Sequence, residues 1–313
     1  MGGQVMVFAP APQLTVTLER FHNPAAGNAA DHDELHLHAG GQGVWQARMI
    51  ASLGVPVTLC AVLGGEVGRV LEPLIAAEGV TIRAVFRAAG NGWYVHDRRS
   101  GERKTLAEQP GAPLGRHELD ELYDVALGEG LKATVSVLSG PASAEVVTPD
   151  AYRRLAVDLT TNGRRLVADL SGAHLEAVLA GEPYLVKVSH EELDSDPDDV
   201  SRLADQIWRL REAGAQTVVV SRAERPALAL LDDDEIVEVQ MPPLQVADQR
   251  GAGDTMTAVM VSMLARGEPM RDAVRAGAAA GALNVTQHGL GTGRAEAIGE
   301  LTQRVEIQPL GGR

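Results

Sequence analysis

The sequence predicts an α/β fold, a mostly parallel sheet covered by helices, on two observations. First, short apolar runs read as buried strands: Val135-Ser136-Val137-Leu138, Leu166-Val167-Ala168, Tyr184-Leu185-Val186 and Thr217-Val218-Val219-Val220. Second, helix-length amphipathic stretches lie between them, at 150–161 and 200–213. Strand–helix–strand units of this length favour parallel pairing. Composition agrees: 45% apolar and 22% charged residues describe a globular chain, and 313 residues bury a large core without staples. Aromatics are only 3%, so that core is aliphatic.

The N-terminal third is less regular. Leu35-His36-Leu37-His38 alternates like a half-exposed strand. Trp93-Tyr94-Val95-His96 and Lys104-Thr105-Leu106 read as two strands around the turn at 99–102, and these pieces predict a small sheet projecting from the main body. After residue 220 the rhythm changes. Segments 227–231 and 235–239 flank Asp232-Asp233-Asp234 as a hairpin, and two long helices follow at about 254–265 and 270–287. With no internal repeat or low-complexity linker, residues 1–313 read as one domain with lid strands at about 13–38 and 91–107.

Charge and composition exclude several function classes. With 42 acidic and 28 basic residues the formal net charge is −14, which argues against a nucleic-acid partner while allowing a local pocket for a small anion. The single cysteine, Cys60, rules out a disulfide framework and a Cys-based zinc cluster, and reads as a small buried hydrophobe. No segment offers the roughly 18 apolar residues of a membrane span. The best candidate, 273–283, is short and carries Arg275, and residues 1–12 lack the pattern of a signal peptide. A soluble, cytoplasmic chain with no membrane partner is the default expectation.

Arg250-Gly251-Ala252-Gly253-Asp254-Thr255 is the sharpest chemical signal. Two glycines permit close approach of a ligand, and the loop opens an apolar helix. Free N–H groups and the positive helix end then make an anion hole suited to a transferring phosphoryl group. An aspartate there can accept a proton from a substrate hydroxyl, and the helix dipole is expected to keep it ionised. An ordinary helix N-cap is the bland alternative. The second signal is Gly40-Gly41-Gln42-Gly43 with Val44-Trp45-Gln46 after it, opening a helix that runs to about Leu53; a substrate could lie on this backbone, and a plain strand–helix loop is the alternative.

These two segments, in this order, resemble the ribokinase/PfkB family of carbohydrate kinases, above all its 1-phosphofructokinase and tagatose-6-phosphate kinase branch. Ala61 to Gly68 is similar to the family's Gly-x-Asp-x-x-Gly turn, with Glu66 in place of Asp. Val137-Leu138-Ser139-Gly140, Val167-Ala168-Asp169-Leu170-Ser171-Gly172 and Lys187-Val188-Ser189-His190-Glu191-Glu192-Leu193 follow its pattern in order. The resemblance implies a three-layer sandwich with a β-lid, and ATP-dependent, magnesium-dependent phosphorylation of a sugar or sugar-phosphate hydroxyl. It implies Asp254 as base and Gly251, Ala252 and Gly253 as anion hole. It puts Gln13, Gly40, Gly41, Gln42, Gly43 and Trp45 at the acceptor, Lys187, Ser189 and Ser221 at ATP, and Glu192 at magnesium through water; charge and place in the chain add Arg103 at the acceptor and Arg250 at ATP.

The chain departs from the pattern at several of these positions. Gln13 stands for an acceptor-binding Asp, Gln42 for Lys, Trp45 for a small Asn, Ser189 for Asn, and Gln249-Arg250 for Thr and a small residue. Ala223-Glu224-Arg225-Pro226 stands where the family has Gly-x-x-Gly, and Pro226 removes an N–H there. A non-catalytic nucleotide or sugar binder and a nucleoside kinase are therefore the alternative functions. Arg98, Arg99, Arg103 and Lys104 form either a solvated hairpin tip or a phosphate clamp; His22, His32, His36 and His38 read as lid residues, not metal ligands. The exposed edge of the lid suggests a homodimer formed through it.

Overall fold

A computed structural model describes residues 3–21, 32–141, 143–242, 244–245, 250–286 and 293–310. The N-terminal part runs β1 (Val5–Phe8), β2 (Gln13–Phe21), β3 (His32–Gly40), α1 (Gln42–Ser52), β4 (Val57–Gly64), α2 (Gly65–Ala77), β5 (Thr81–Arg87), β6 (Trp93–Asp97) and β7 (Lys104–Gln109). The central part runs α3 (Arg116–Gly130), β8 (Val135–Ser139), α4 (Pro149–Thr161), β9 (Arg165–Asp169), α5 (Gly172–Val178), β10 (Leu185–Ser189) and α6 (Val200–Glu212). The rest is β11 (Val218–Arg222), β12 (Arg225–Leu230), β13 (Ile236–Gln240), α7 (Ala252–Ala265), α8 (Met270–Asn284), α9 (Ala295–Thr302) and β14 (Glu306–Pro309).

Ten strands form one sheet in the order β14-β13-β12-β11-β10-β9-β8-β1-β4-β5. The pairs from β11 to β5 are parallel, and β11 to β14 pair antiparallel. The parallel strands are apolar on both faces because helices cover both faces. Val5, Val7, Val135, Val137 and Val219 pack with α1, α7 and α8. Met6, Phe8, Leu166, Val186, Val218 and Val220 point the other way, onto α3, α4 and α6. This is the expected mostly parallel, helix-covered sheet, and the 232–234 segment is the expected hairpin turn between β12 and β13.

The expected lid is a separate four-stranded sheet in the order β3-β2-β6-β7. Strand β2 pairs antiparallel with β3 and parallel with β6. Its strands run longer than the sequence suggests, from Gln13 to Gly40 on one side and Trp93 to Gln109 on the other; residues 22–31, with His22, lie outside the described set. Asn91 joins lid to body: it accepts from Gly64 N–H (2.6 Å) and donates to Pro12 O (3.1 Å) and Val62 O (2.9 Å). Helix α7 starts at Ala252, two residues before the expected Asp254, and α8 ends at Asn284, with Gln287 outside the described residues.

Candidate active site

The C-terminal ends of parallel strands are where open α/β sheets bind ligands. Here Ser139 ends β8, Asp169 ends β9, and Lys187 of β10 pairs in register with Asp169. Asp169 is fully buried. Its Oδ2 accepts from Gln46 Nε2 (2.8 Å) and Thr257 Oγ1 (2.7 Å). Ser139 Oγ donates to Gln46 Oε1 (2.5 Å). The other oxygen, Oδ1, has no hydrogen-bond partner and lies 3.7 Å from Lys187 Nζ.

Lys187 is itself buried, directly under the first turn of α7. A Cβ at Gly253 would sit 2.5 Å from its Nζ, so the ammonium fills the space that glycine leaves. Gly251 caps α7 in the left-handed region (φ 73°), a conformation glycine adopts without strain. Asn284 of α8 fixes this loop: it accepts from Thr255 Oγ1 (2.9 Å) and donates to Arg250 O (2.8 Å). Because Gly251 is the cap, Asp254 is the third residue of the helix and not its N-cap. It thus belongs to the first turn, whose N–H groups have no intrahelical acceptor.

Burial pushes Asp254 up to about 7, neighbouring Asp169 adds to the rise, and Lys187 opposes it. Burial and a second carboxylate thus work against the expectation that the helix dipole keeps this carboxylate ionised. Burial also raises Asp169, while Lys187 and the Thr257 hydrogen bond pull it back. For Lys187, burial works against the charge, yet Asp169, Glu192 and Asp254 outweigh it and hold its pKa above the usual lysine value. The result is a protonated lysine among three carboxylates.

The other expected site residues fall around this core. Gly40 to Gly43 join β3 to α1, and Gln42 Oε1 accepts from Gly140 N–H (2.7 Å). Trp45 is half-buried in α1, and Gln13 opens β2. Glu192 Oε2 accepts from Ser189 N–H (2.7 Å), and Glu192 N–H donates to Ser189 Oγ (3.2 Å), a reciprocal pair that fixes the turn after β10. Ser221, one residue from the end of β11, donates to Val188 O (3.4 Å). Arg250 is exposed just ahead of α7; Gln249 lies outside the described residues.

Within the lid, the basic residues divide. Arg99 is held by Asp97 and Asp33 (2.8 Å each), and Arg98 lies 3.9 Å from Glu19. Arg103 instead contacts His96 Nε2 and lies over the Tyr94 ring, 5.7 Å from its centroid. Tyr94 reaches back to the glycine segment, since a Cβ at Gly40 would sit 3.0 Å from its Oη. Burial, then Arg103 and Arg250, lower the His96 pKa to about 4. His32 and His36 pair with Glu34 (3.1 and 3.4 Å), and His38 stacks on His36. Among the described residues, no three His, Cys, Asp or Glu side chains converge as a metal site. Cys60 is the expected buried hydrophobe, its thiol pushed up to about 12 by burial.

Sequence reasoning missed Gln46, Thr257, Asn284 and Arg222. The first two are buried polar residues on otherwise apolar helix faces, the one signal available. Arg222 closes the β11–β12 turn by donating to Pro226 O (2.5 Å), Pro197 O (3.2 Å) and Glu238 (2.9 Å).

The family profile described as pfkB family carbohydrate kinase matches residues 13–297. The chain is 32% identical over 263 residues to the ATP-dependent 6-phosphofructokinase isozyme 2 of Escherichia coli K12, covering 80% of this chain and 82% of the relative. It is 28% identical over 271 residues to the 1-phosphofructokinase of Xanthomonas campestris pv. campestris, covering 82% and 81%. The crystal structure of Escherichia coli phosphofructokinase-2 with potassium superposes with a TM-score of 0.82 at 25% identity, over 96% of this chain and 99% of that one.

Proposed function

The chain belongs to the pfkB family of carbohydrate kinases, and from that premise we propose that it transfers the γ-phosphoryl group of ATP to a hydroxyl of a hexose phosphate, with Asp254 as base. The observation that carries the reading is the position of Asp254 in the first turn of α7, above the buried Lys187–Asp169 pair. Both relatives compared above are phosphofructokinases by name, which supports a phosphorylated hexose as acceptor.

The acceptor hydroxyl gives its proton to Asp254 as its oxygen bonds to the γ-phosphorus. The bond from that phosphorus to the β–γ bridging oxygen breaks, and ADP leaves. Charge on the transferring group meets the N–H groups of Gly251, Ala252 and Gly253 and the ammonium of Lys187. Such a transfer needs positioning and neutralisation, with no covalent nucleophile. Ser189, Ser221 and Arg250 bound the nucleotide side. Gln13, Gly40, Gly41, Gln42, Gly43 and Trp45 face the acceptor, and Arg103 closes on its phosphate from the lid.

Magnesium fits this donor set. Asp169, Glu192 and Asp254 all act electrostatically on Lys187, an excess of negative charge that suits a divalent cation carried by nucleotide phosphates rather than by a dedicated protein cage. Glu192 would hold it through water, and the ion would neutralise charge on the phosphate oxygens. We also read residues 1–313 as one kinase unit that dimerises through the lid, where Leu35 and Leu37 of edge strand β3 are 60% and 41% exposed. Sedimentation showing only monomer at micromolar concentration contradicts the dimer.

The test is a panel of hexoses, hexose phosphates and nucleosides with ATP and magnesium, read by ADP release and by melting temperature. Magnesium-dependent ADP release with hexose phosphates is expected. A melting shift without ADP release would instead favour a non-catalytic binder, and release with nucleosides alone a nucleoside kinase.

A further inference from the structure

We propose that Asp169 is a positioning residue, its buried carboxylate fixing the Lys187 ammonium under the first turn of α7, where the transferring phosphoryl group arrives. This rests on the phosphoryl-transfer reading, and it gives a task to an acid that the transfer itself leaves unused.

Ser139, Asp169 and Lys187 form one rank across β8, β9 and β10, since Ser139 and Lys187 both pair in register with Asp169. Strand alternation puts them on the face of Val137, Val167 and Leu185, two residues earlier in each strand, which belong to the core under α1, α7 and α8. A charge on so apolar a face is costly unless it is paired. The Asp169 side chain is fully buried and that of Lys187 is 7% exposed, so each depends on the other.

One oxygen of Asp169 is anchored from two helices. Oδ2 accepts from Gln46 Nε2 of α1 (2.8 Å) and from Thr257 Oγ1 of α7 (2.7 Å), and Ser139 Oγ holds the Gln46 amide by its oxygen (2.5 Å). With Oδ2 held in this way the carboxylate is fixed in rotation, and Oδ1 faces Lys187 Nζ at 3.7 Å. That separation is an ion pair and too long for a hydrogen bond, and Oδ1 has no hydrogen-bond partner. Asp169 therefore holds the ammonium by charge and does not consume its N–H donors. Among the described residues no protein hydrogen bond occupies those donors, which leaves them for phosphate oxygens.

The ammonium also meets the anion hole, because a Cβ at Gly253 would sit 2.5 Å from Nζ. Thr257 follows Gly253 by four residues on α7, hence on the same helix face. The helix that builds the anion hole thus anchors the carboxylate that places the lysine. Charged groups act on Lys187 from every side: Asp169 from β9, Glu192 from the turn after β10 and Asp254 from α7, and all three favour its ammonium form against burial.

Asp169→Asn tests this, because it keeps the shape and an oxygen for Gln46 and Thr257 while losing the charge. Its kcat is expected to fall by about 10- to 100-fold, as for a displacement of about 1 Å at the reacting centre, with the acceptor KM within about twofold of wild type. A carboxylate that acts through Lys187 has nothing to act on once the ammonium is gone. Asp169→Asn/Lys187→Met should therefore turn over within about threefold of Lys187→Met alone. This comparison decides the matter even where the single Asn variant fails to fold, since the double variant removes both buried charges together. A double variant slower than that would overturn the proposal. So would a lowered melting temperature with unchanged kcat per folded Asp169→Asn enzyme, the mark of a structural role. A readout without turnover separates this proposal from the function it rests on: the Lys187 side chain, followed by NMR in the free protein, should lose its proton at lower pH in Asp169→Asn than in wild type. An unmoved titration would overturn the positioning role, whereas a wild-type protein that turns over no acceptor would refute the proposed function.

Discussion

Gly253→Ala separates stability from catalysis. Gly253 lies within α7 and is not among the positive-φ glycines, so alanine adopts its backbone conformation freely. In a helix that exchange gains about 0.5–1 kcal/mol. Against it stands the new Cβ, 2.5 Å from Lys187 Nζ and 3.4 Å from Cε. To restore ordinary contact the ammonium must retreat by about 1 Å. If that motion lengthens its 3.7 Å approach to Asp169 Oδ1, the pair loses about 1 kcal/mol at an effective dielectric of about 20. The two terms nearly cancel, so the melting temperature should stay within about 4 °C of wild type. Catalysis has no such compensation, because a misplacement of about 1 Å at the reacting centre costs up to about 100-fold. A coupled assay of ADP release should show kcat lower by about 10- to 100-fold at an unchanged fold. Wild-type kcat in Gly253→Ala would refute the placement of the Lys187 ammonium at the anion hole.

Two further outcomes follow from the electrostatics. The unfolded chain loses the Asp254 proton near 3.8, while the folded free protein keeps it to about 7. The native state thus binds more protons between these values, and this contribution is present below about pH 4 and lost as pH rises through about 7. Denaturant unfolding at pH 5 and pH 8 should show that loss in wild type and a smaller one in Asp254→Asn; equal losses would contradict it. Arg103→Ala should raise the KM for a hexose phosphate by about 10- to 100-fold with little change in kcat, as expected when a charged hydrogen bond to the acceptor is removed. An unchanged KM would contradict a role for Arg103 at the acceptor.

Much of this molecule could be read from its residues, for physical reasons that differ by element. Strands β8 to β11 are buried on both faces and so write continuous apolar runs. Strand β1, with four residues, is too short to show a period, although it lies at the centre of the sheet with every side chain buried. Strand β14 is mostly exposed and finds its place only by pairing with β13, from across the chain. At the site, the helix start at Gly251 to Asp254 was legible because glycines before an apolar run write that turn locally. The role of Asp169 was not, since it depends on Gln46, Thr257 and Lys187, brought together from α1, α7 and β10. Gln42 shows the limit most directly. Its motif assigns it to the acceptor, and only the Gly140 contact reveals which way its amide faces.

The account turns on Asp254 as the proton acceptor. The most direct test is steady-state ADP release by Asp254→Asn, at saturating ATP, magnesium and hexose phosphate, beside the ATP-induced melting shift of the same protein. The account predicts kcat lower by about 100-fold or more, the contribution of a positioned general base, with the melting shift preserved. Turnover within about threefold of wild type would contradict it, because a group that accepts the proton in the transition state cannot be dispensed with so cheaply.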